Sequence, residues 1–160
     1  MRKSSEKNNF VVDTSVFIEY IIEDTLFREF LDKLLNSPDR FKIALHVSPI
    51  TLTEIFYVAD QVYRLAKVKN PNEEAKRFLQ WIKNRVNVVP INDSIIELAG
   101  EIKKYFHLSI SDCYAIATGK YLGYKILFKK VEKEMEKHIN ELRNLGIIFL
   151  DEIVDTMTLN

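Results

Sequence analysis

The sequence predicts a three-layer α/β fold: a parallel sheet of about five strands with helices on both faces. Two observations carry that expectation. Short apolar runs alternate with longer segments of helical apolar spacing, the pattern of parallel strands joined by right-handed crossovers. The chain also has 160 residues, 47% of them apolar. That suits one domain, able to bury about two thirds of its unfolded surface.

Taken in order, Phe10-Val11-Val12 is a short buried strand. After Asp13, the residues Val16, Phe17, Tyr20 and Ile21 follow helical spacing. A second helix covers roughly 25–36, with Leu26, Phe27, Phe30, Leu31, Leu34 and Leu35 on one face, and Ser37-Pro38-Asp39 ends it. Ile43–Val47 is the next strand, closed by Pro49, and a helix runs from about Thr51 to Ala66. Pro71 opens a helix to about Asn84, with Ala75, Phe78, Leu79 and Ile82 facing in. Val86–Val89 is the third strand. Asn92 or Asp93 caps a helix to about Tyr105, and Ser109 or Ser111 caps another that ends near Leu122-Gly123. Lys125–Phe128 is the fourth strand. Val131, Met135, His138, Ile139 and Leu142 mark one helix that stops at Gly146. Ile147–Leu150 is the fifth strand. The ends, residues 1–8 and 152–160, read as flexible.

Composition narrows the function. Lys+Arg and Asp+Glu both number 23, so no strongly basic chain argues for nucleic acid, although a local basic face stays open. The single cysteine, Cys113, forms no intrachain disulfide and reads as buried packing. No apolar run approaches the roughly 18 residues of a membrane span, and MRKSSEKNNF lacks the apolar core of a secretory signal. A soluble, cytoplasmic protein without a membrane partner is expected. With 4 glycines there is neither G-x-G-x-x-G nor a P-loop. His46, His107 and His138 lack zinc-ligand spacing.

Ligands of open parallel sheets sit beyond the carboxyl ends of the strands. The acids there are Asp13 after the first strand, Glu54 in a first helical turn after the second, Asp93 after the third, and Asp112 in the first turn of the helix before the fourth. Each has a capping explanation. Asp13 and Asp93 suit N-caps, while Thr51-x-x-Glu54 and Ser109-x-x-Asp112 match capping boxes. The neighbours point elsewhere. Glu54 and Asp112 are followed by nearly unbroken apolar residues, such as Cys113-Tyr114-Ala115-Ile116-Ala117, so those helices should be buried all round with their starts facing a crevice. Carboxylates sharing a crevice repel, and either a proton or a divalent cation resolves that. Oxygen ligands suit Mg²⁺ or Mn²⁺.

The stretches VVDTSVFI, TLTEIFY and SISDCYAIATGKYLGYKILF, in that order and context, resemble the PIN-domain ribonucleases, especially VapC-type toxins. The resemblance covers residues 9–151 as a single domain. It implies a Mg²⁺- or Mn²⁺-dependent endoribonuclease that hydrolyses RNA phosphodiester bonds to 5′-phosphate and 3′-hydroxyl ends. It also implies an antitoxin protein as partner. The three family acids map onto Asp13, Glu54 and Asp112, with Ser15 as a supporting hydrogen-bond group. Asp93 has no family role and stays a cap. A fourth acid commonly follows the fourth strand; here Lys130 occupies its place, and Glu132, two residues later, is the substitute that could reach the metal or simply be a first-turn acid.

Lys129, Lys130 and Lys133 are expected near the crevice, where Lys129 and Lys130 either touch phosphate or belong to a solvated face. Trp81, Tyr57 and Tyr63 read as core or dimer face. The apolar surface of the helices at 25–36 and after Thr51 suggests a homodimer or an antitoxin groove. The alternative to a nuclease is a catalytically impaired PIN-like module that binds RNA or a protein, for which Lys130 is the main support. A haloacid-dehalogenase-type phosphatase fits poorly, because D-x-D-x-T is absent from Asp13-Thr14-Ser15-Val16-Phe17.

Overall fold

The structure, a computed structural model, describes residues 7–22 and 25–153. Among them the elements run β1 (Asn8–Val12), α1 (Thr14–Glu19), α2 (Thr25–Asn36), α3 (Pro38–Phe41), β2 (Ile43–Val47), α4 (Pro49–Leu65), α5 (Pro71–Lys83), β3 (Asn87–Val88), α6 (Asp93–Phe106), α7 (Ile110–Leu122), β4 (Lys125–Phe128), α8 (Lys133–Glu136), α9 (Ile139–Asn144) and β5 (Ile147–Phe149). The five strands form one sheet in the order β3-β2-β1-β4-β5, with every pairing parallel. Most of the expected flexible ends, like the side chain of Leu26, lie outside the described residues. Asn8, however, already sits in β1, where its amide donates to the Lys42 carbonyl at 2.7 Å.

β1 occupies the centre because its residues are apolar on both sides. Val11 and Val12 are both fully buried, yet they belong to different cores. Alternation along the strand sends Val12 toward Phe17, Leu31, Ile55 and Ile82, and Val11 toward Ile95, Ile116, Phe128 and Leu142. One core lies on each face of the sheet, giving the three-layer arrangement the sequence predicts. On the second face α7 lies very close to β4. A Cβ at Gly119 would fall 2.3 Å from Cγ1 of Ile126, so a larger residue there would push the helix off the strand.

Several element ends differ from the sequence reading. The helix expected from Thr51 starts at Pro49, with Ser48 as N-cap accepting from the Ile50 amide at 3.2 Å. Pro49 therefore opens α4 rather than closing β2, since its missing N–H costs nothing at the first helical position. Thr51 and Glu54 then make no capping box, and Glu54 sits in the second turn. Nor is α4 buried all round, because Thr53 and Tyr57 face solvent. Pro38 likewise opens the extra turn α3. The single helix expected before Gly146 is two, α8 and α9. No Pro or Gly marks that break; it falls where the His138 ring packs against Tyr105 and Phe106 of α6. Asn92, not Asp93, caps α6 by accepting from the Ile95 amide at 2.9 Å.

Trp81 and Tyr63 pack against the first core, whereas Tyr57 is exposed. Cys113 is buried and free. Among the described residues, no helix is long and apolar enough to cross a membrane.

Candidate active site

Beyond the carboxyl ends of β1 and β4 lies a cleft of about 620 Å³ whose walls include Asp13, Glu54, Asp112 and Glu132. Three segments of sequence, separated by tens of residues, meet there because β1 and β4 are neighbours and α4 and α7 pack against the β1–α1 corner.

Asp13 ends β1, its amide donating to the Leu127 carbonyl of β4 at 2.9 Å. It is the N-cap of α1: Oδ2 accepts from the Ser15 amide at 2.9 Å. Its other oxygen, Oδ1, is buried and has no hydrogen-bond partner among the described residues. A buried carboxylate oxygen left bare is costly unless something positive faces it. Glu54 is held from two sides through one oxygen, Oε2. Thr14 Oγ1 donates to it at 2.7 Å, and the Ser111 hydroxyl donates to it as well. Asp112 stands in the first turn of α7, whose N-cap Ser109 accepts from the Asp112 amide at 3.1 Å.

Electrostatics tie these acids together. Burial pushes the Asp13 carboxyl up from 3.8 to about 6, with the Ser15 hydrogen bonds pulling it down and the charge of Glu54 pushing it further up. Burial also raises Asp112 from 3.8 to about 7, reinforced by the Asp13 charge and by Glu132 and Glu54, against the Ser109 hydrogen bond. Glu132 is raised too, first by burial and then by Asp13. The sequence left open whether Glu132 reaches the crevice. It does so from the N-cap position of α8, while Lys130 is exposed and absent from the wall. Among the described residues no three acidic, His or Cys groups are gathered as a ready metal-binding set. The bare Asp13 oxygen and the raised carboxyls fit a divalent cation held by oxygen ligands.

Ser15, the expected supporting group, lies in the cleft wall and bonds in two directions, its amide to Asp13 and its hydroxyl to the chain after β4. Its hydroxyl accepts from the Lys129 amide at 3.1 Å, pinning the start of α1 to the end of β4. The Lys129 ammonium is paired with the buried Glu19 at the far end of α1. Lys133 is exposed and stands outside the wall. Sequence reasoning missed Thr14, Ser111 and Glu19. Thr14 and Ser111 carried a signal: each is a hydroxyl residue beside a candidate acid, and each reaches across to the third. Lys103 also lines the cleft and also went unnoticed; His107 lines it too, and the sequence weighed it only as a zinc ligand.

An acid-walled cleft at the carboxyl edge of a parallel five-stranded sheet defines the class. Residues 10–137 match the PIN domain family, and the chain belongs to it. The sequence is 30% identical over 130 residues to Ribonuclease VapC6 of Methanocaldococcus jannaschii, covering 71% of this chain and 82% of that protein. Its fold is similar to VapBC2 of Rickettsia felis bound to a DNA fragment from its promoter, with a TM-score of 0.63 at 12% identity over 88% of this chain and 98% of that one. It is similar as well to PAE2754 of Pyrobaculum aerophilum, with a TM-score of 0.62 at 14% identity over 96% of this chain and 99% of that one. At such low identities the two structures speak to the fold alone.

Proposed function

We propose that the chain is a divalent-metal-dependent endoribonuclease, the toxin of a toxin–antitoxin pair, formed by one PIN domain over residues 9–151. Family membership and the likeness to a VapC ribonuclease support the activity. The observation that carries the site assignment is the bare, buried Asp13 Oδ1 in a cleft shared with Glu54, Asp112 and Glu132. Asp13, Glu54 and Asp112, joined by Glu132, would hold Mg²⁺ or Mn²⁺. Such an ion, when bound, neutralises charge on the phosphate and lowers the pKa of water, so that hydroxide is available near neutral pH.

The chain's own residues supply placement. The Ser15 amide orients Asp13, Thr14 and Ser111 occupy one Glu54 oxygen and aim the carboxylate, and the Ser109 cap sets Asp112 in the opening turn of α7. The hydroxyls of Thr14 and Ser111 serve to hold Glu54, and water is the attacking group in this reading. Glu132 in the wall answers the departure at Lys130 and weighs against an impaired module. The partners that follow are an RNA substrate and an antitoxin protein, the latter supported by the likeness of the fold to a toxin-antitoxin complex from Klebsiella pneumoniae. A homodimer remains part of this reading.

The test is Mn²⁺-dependent cleavage of tRNA and rRNA by wild type and by Asp112→Asn. Wild type should cut, while Asp112→Asn should fold normally and lose at least the roughly 100-fold that disturbing a ligand's support costs. Equal cutting by the two proteins would refute the site assignment. No cutting by wild type with any divalent metal would return the reading to a non-catalytic module.

A further inference from the structure

Two lysines line the cleft, and their situations differ. Lys129 has its charge consumed by Glu19. Lys103, in the last turn of α6, donates instead to the main-chain oxygen of Leu108. That acceptor is neutral, and among the described residues Lys103 forms no ion pair. The tether is firm, because Leu108 is 1% exposed in the second core. An ammonium has three donors, so two remain for another partner. Six acidic residues line the cleft (Asp13, Glu19, Glu54, Asp112, Glu132 and Glu134); such a wall repels an anionic strand, and a cation there whose charge is not already balanced is where a phosphate is favoured.

We propose that Lys103 binds a backbone phosphate of the RNA strand in the cleft and so is a substrate-positioning residue. This inference rests on the ribonuclease reading and adds to it the anchor for the substrate. Lys129 and Lys130, for which the sequence left open either phosphate contact or a solvated face, are less suited to the role: the first is already paired and the second stands outside the cleft. The Leu108 tether holds the side chain before RNA arrives, lowering the entropy cost of the contact. Because the tether belongs to the loop between α6 and α7, the anchor keeps a constant relation to Ser109 and Asp112.

The test uses full-length protein in Mn²⁺ and a fluorescent, random-sequence, single-stranded phosphorothioate RNA that resists hydrolysis. Binding is followed by anisotropy across a tenfold range of salt. Each phosphate contact to single-stranded nucleic acid contributes about 0.7 to the slope of log affinity against log salt. Lys103→Gln keeps a donor for Leu108 but loses the charge. It should flatten the slope by about 0.7, so that affinity falls about fivefold less over the range. Lys103→Arg should restore the wild-type slope, which a role confined to tethering the loop would not require. In wild type, bound RNA should also protect Lys103 from acetylation, read by mass spectrometry without any substitution. A Lys103→Gln slope parallel to wild type, equal flattening in Lys103→Arg, or no protection each overturns the anchor while leaving the nuclease reading intact. Failure of wild type to bind RNA overturns both.

Discussion

Helix α1 carries a buried carboxylate at each end, and the two are treated in opposite ways. Asp13, its N-cap, is 3% exposed, and Glu19, its last residue, is 2% exposed. Both line the same cleft. Glu19 has a dedicated cation, Lys129, whose backbone amide also anchors Ser15, so one residue of the β4 end clamps α1 at both ends. Among the described residues no cation pairs with Asp13. It faces Glu54 and pushes Asp112 up, and one of its oxygens is bare. Burial alone therefore does not mark a functional acid. The informative acid is the one that the fold buries and leaves uncompensated, since folding alone would favour a partner or an apolar residue there.

The largest expected effect breaks the comparison at the Asp13 end. Asp13→Asn keeps the helix cap but removes the charge, so RNA cleavage in Mn²⁺ should fall at least about 100-fold. The metal-free protein should become more stable in the same variant, by on the order of 1–3 kcal/mol at pH 8 in urea unfolding. A variant that loses activity and also loses stability would mean that Asp13 is structural. At the other end of α1, Lys129→Met leaves Glu19 buried and alone. It should cost about 3 kcal/mol, at the low end for a broken buried pair because Lys129 is partly exposed. Adding Glu19→Gln should recover most of that loss. If the double variant is as unstable as Lys129→Met, the pair is not what holds this end of the helix.

A smaller effect concerns the groups that aim Glu54. Ser111→Ala removes one of its two hydroxyl donors and should weaken Mn²⁺ binding about 10- to 100-fold in calorimetry, with the melting temperature nearly unchanged. Equal affinity would show that Thr14 suffices.

The smallest effect is a slope. Asp13 and Asp112 sit near 6 and 7 in the folded state against 3.8 ordinarily, so the folded chain holds their protons more tightly than the unfolded one. Their contribution to metal-free stability is complete below about pH 4 and is lost as pH rises through 6 and 7. Between pH 5 and 8 wild type should therefore lose melting temperature relative to Asp112→Asn, and saturating Mg²⁺ should close the gap. Parallel pH profiles without metal would mean that burial and the neighbouring charges do not raise the Asp112 carboxyl in the folded chain.

Much of the fold was legible because its signals are local. Apolar runs such as Val11-Val12 and Ile126–Phe128 announce buried strands, Pro71 announces the start of α5, and Gly123, at φ +70°, the left-handed end of α7. Where two local signals competed, the reading slipped. Thr51-x-x-Glu54 mimicked a capping box, but Ser48-Pro49 upstream was the stronger start. His138 broke a helix for a reason that lies in another element, the rings of α6.

The sequence by itself determined the class of fold and offered Asp13, Glu54 and Asp112 as candidate acids, with Glu132 left open, since apolar periodicity and an acid near a strand end or a helix start are properties of neighbouring residues. Only the tertiary structure decided which charges cancel. Glu19 meets Lys129 across 110 positions and Ser111 meets Glu54 across 57, while Asp13 and Lys103 are left without opposite charges beside them. Charge compensation depends on distances through space, and those exist only once β1 and β4 lie side by side and α4 and α7 have closed over their ends.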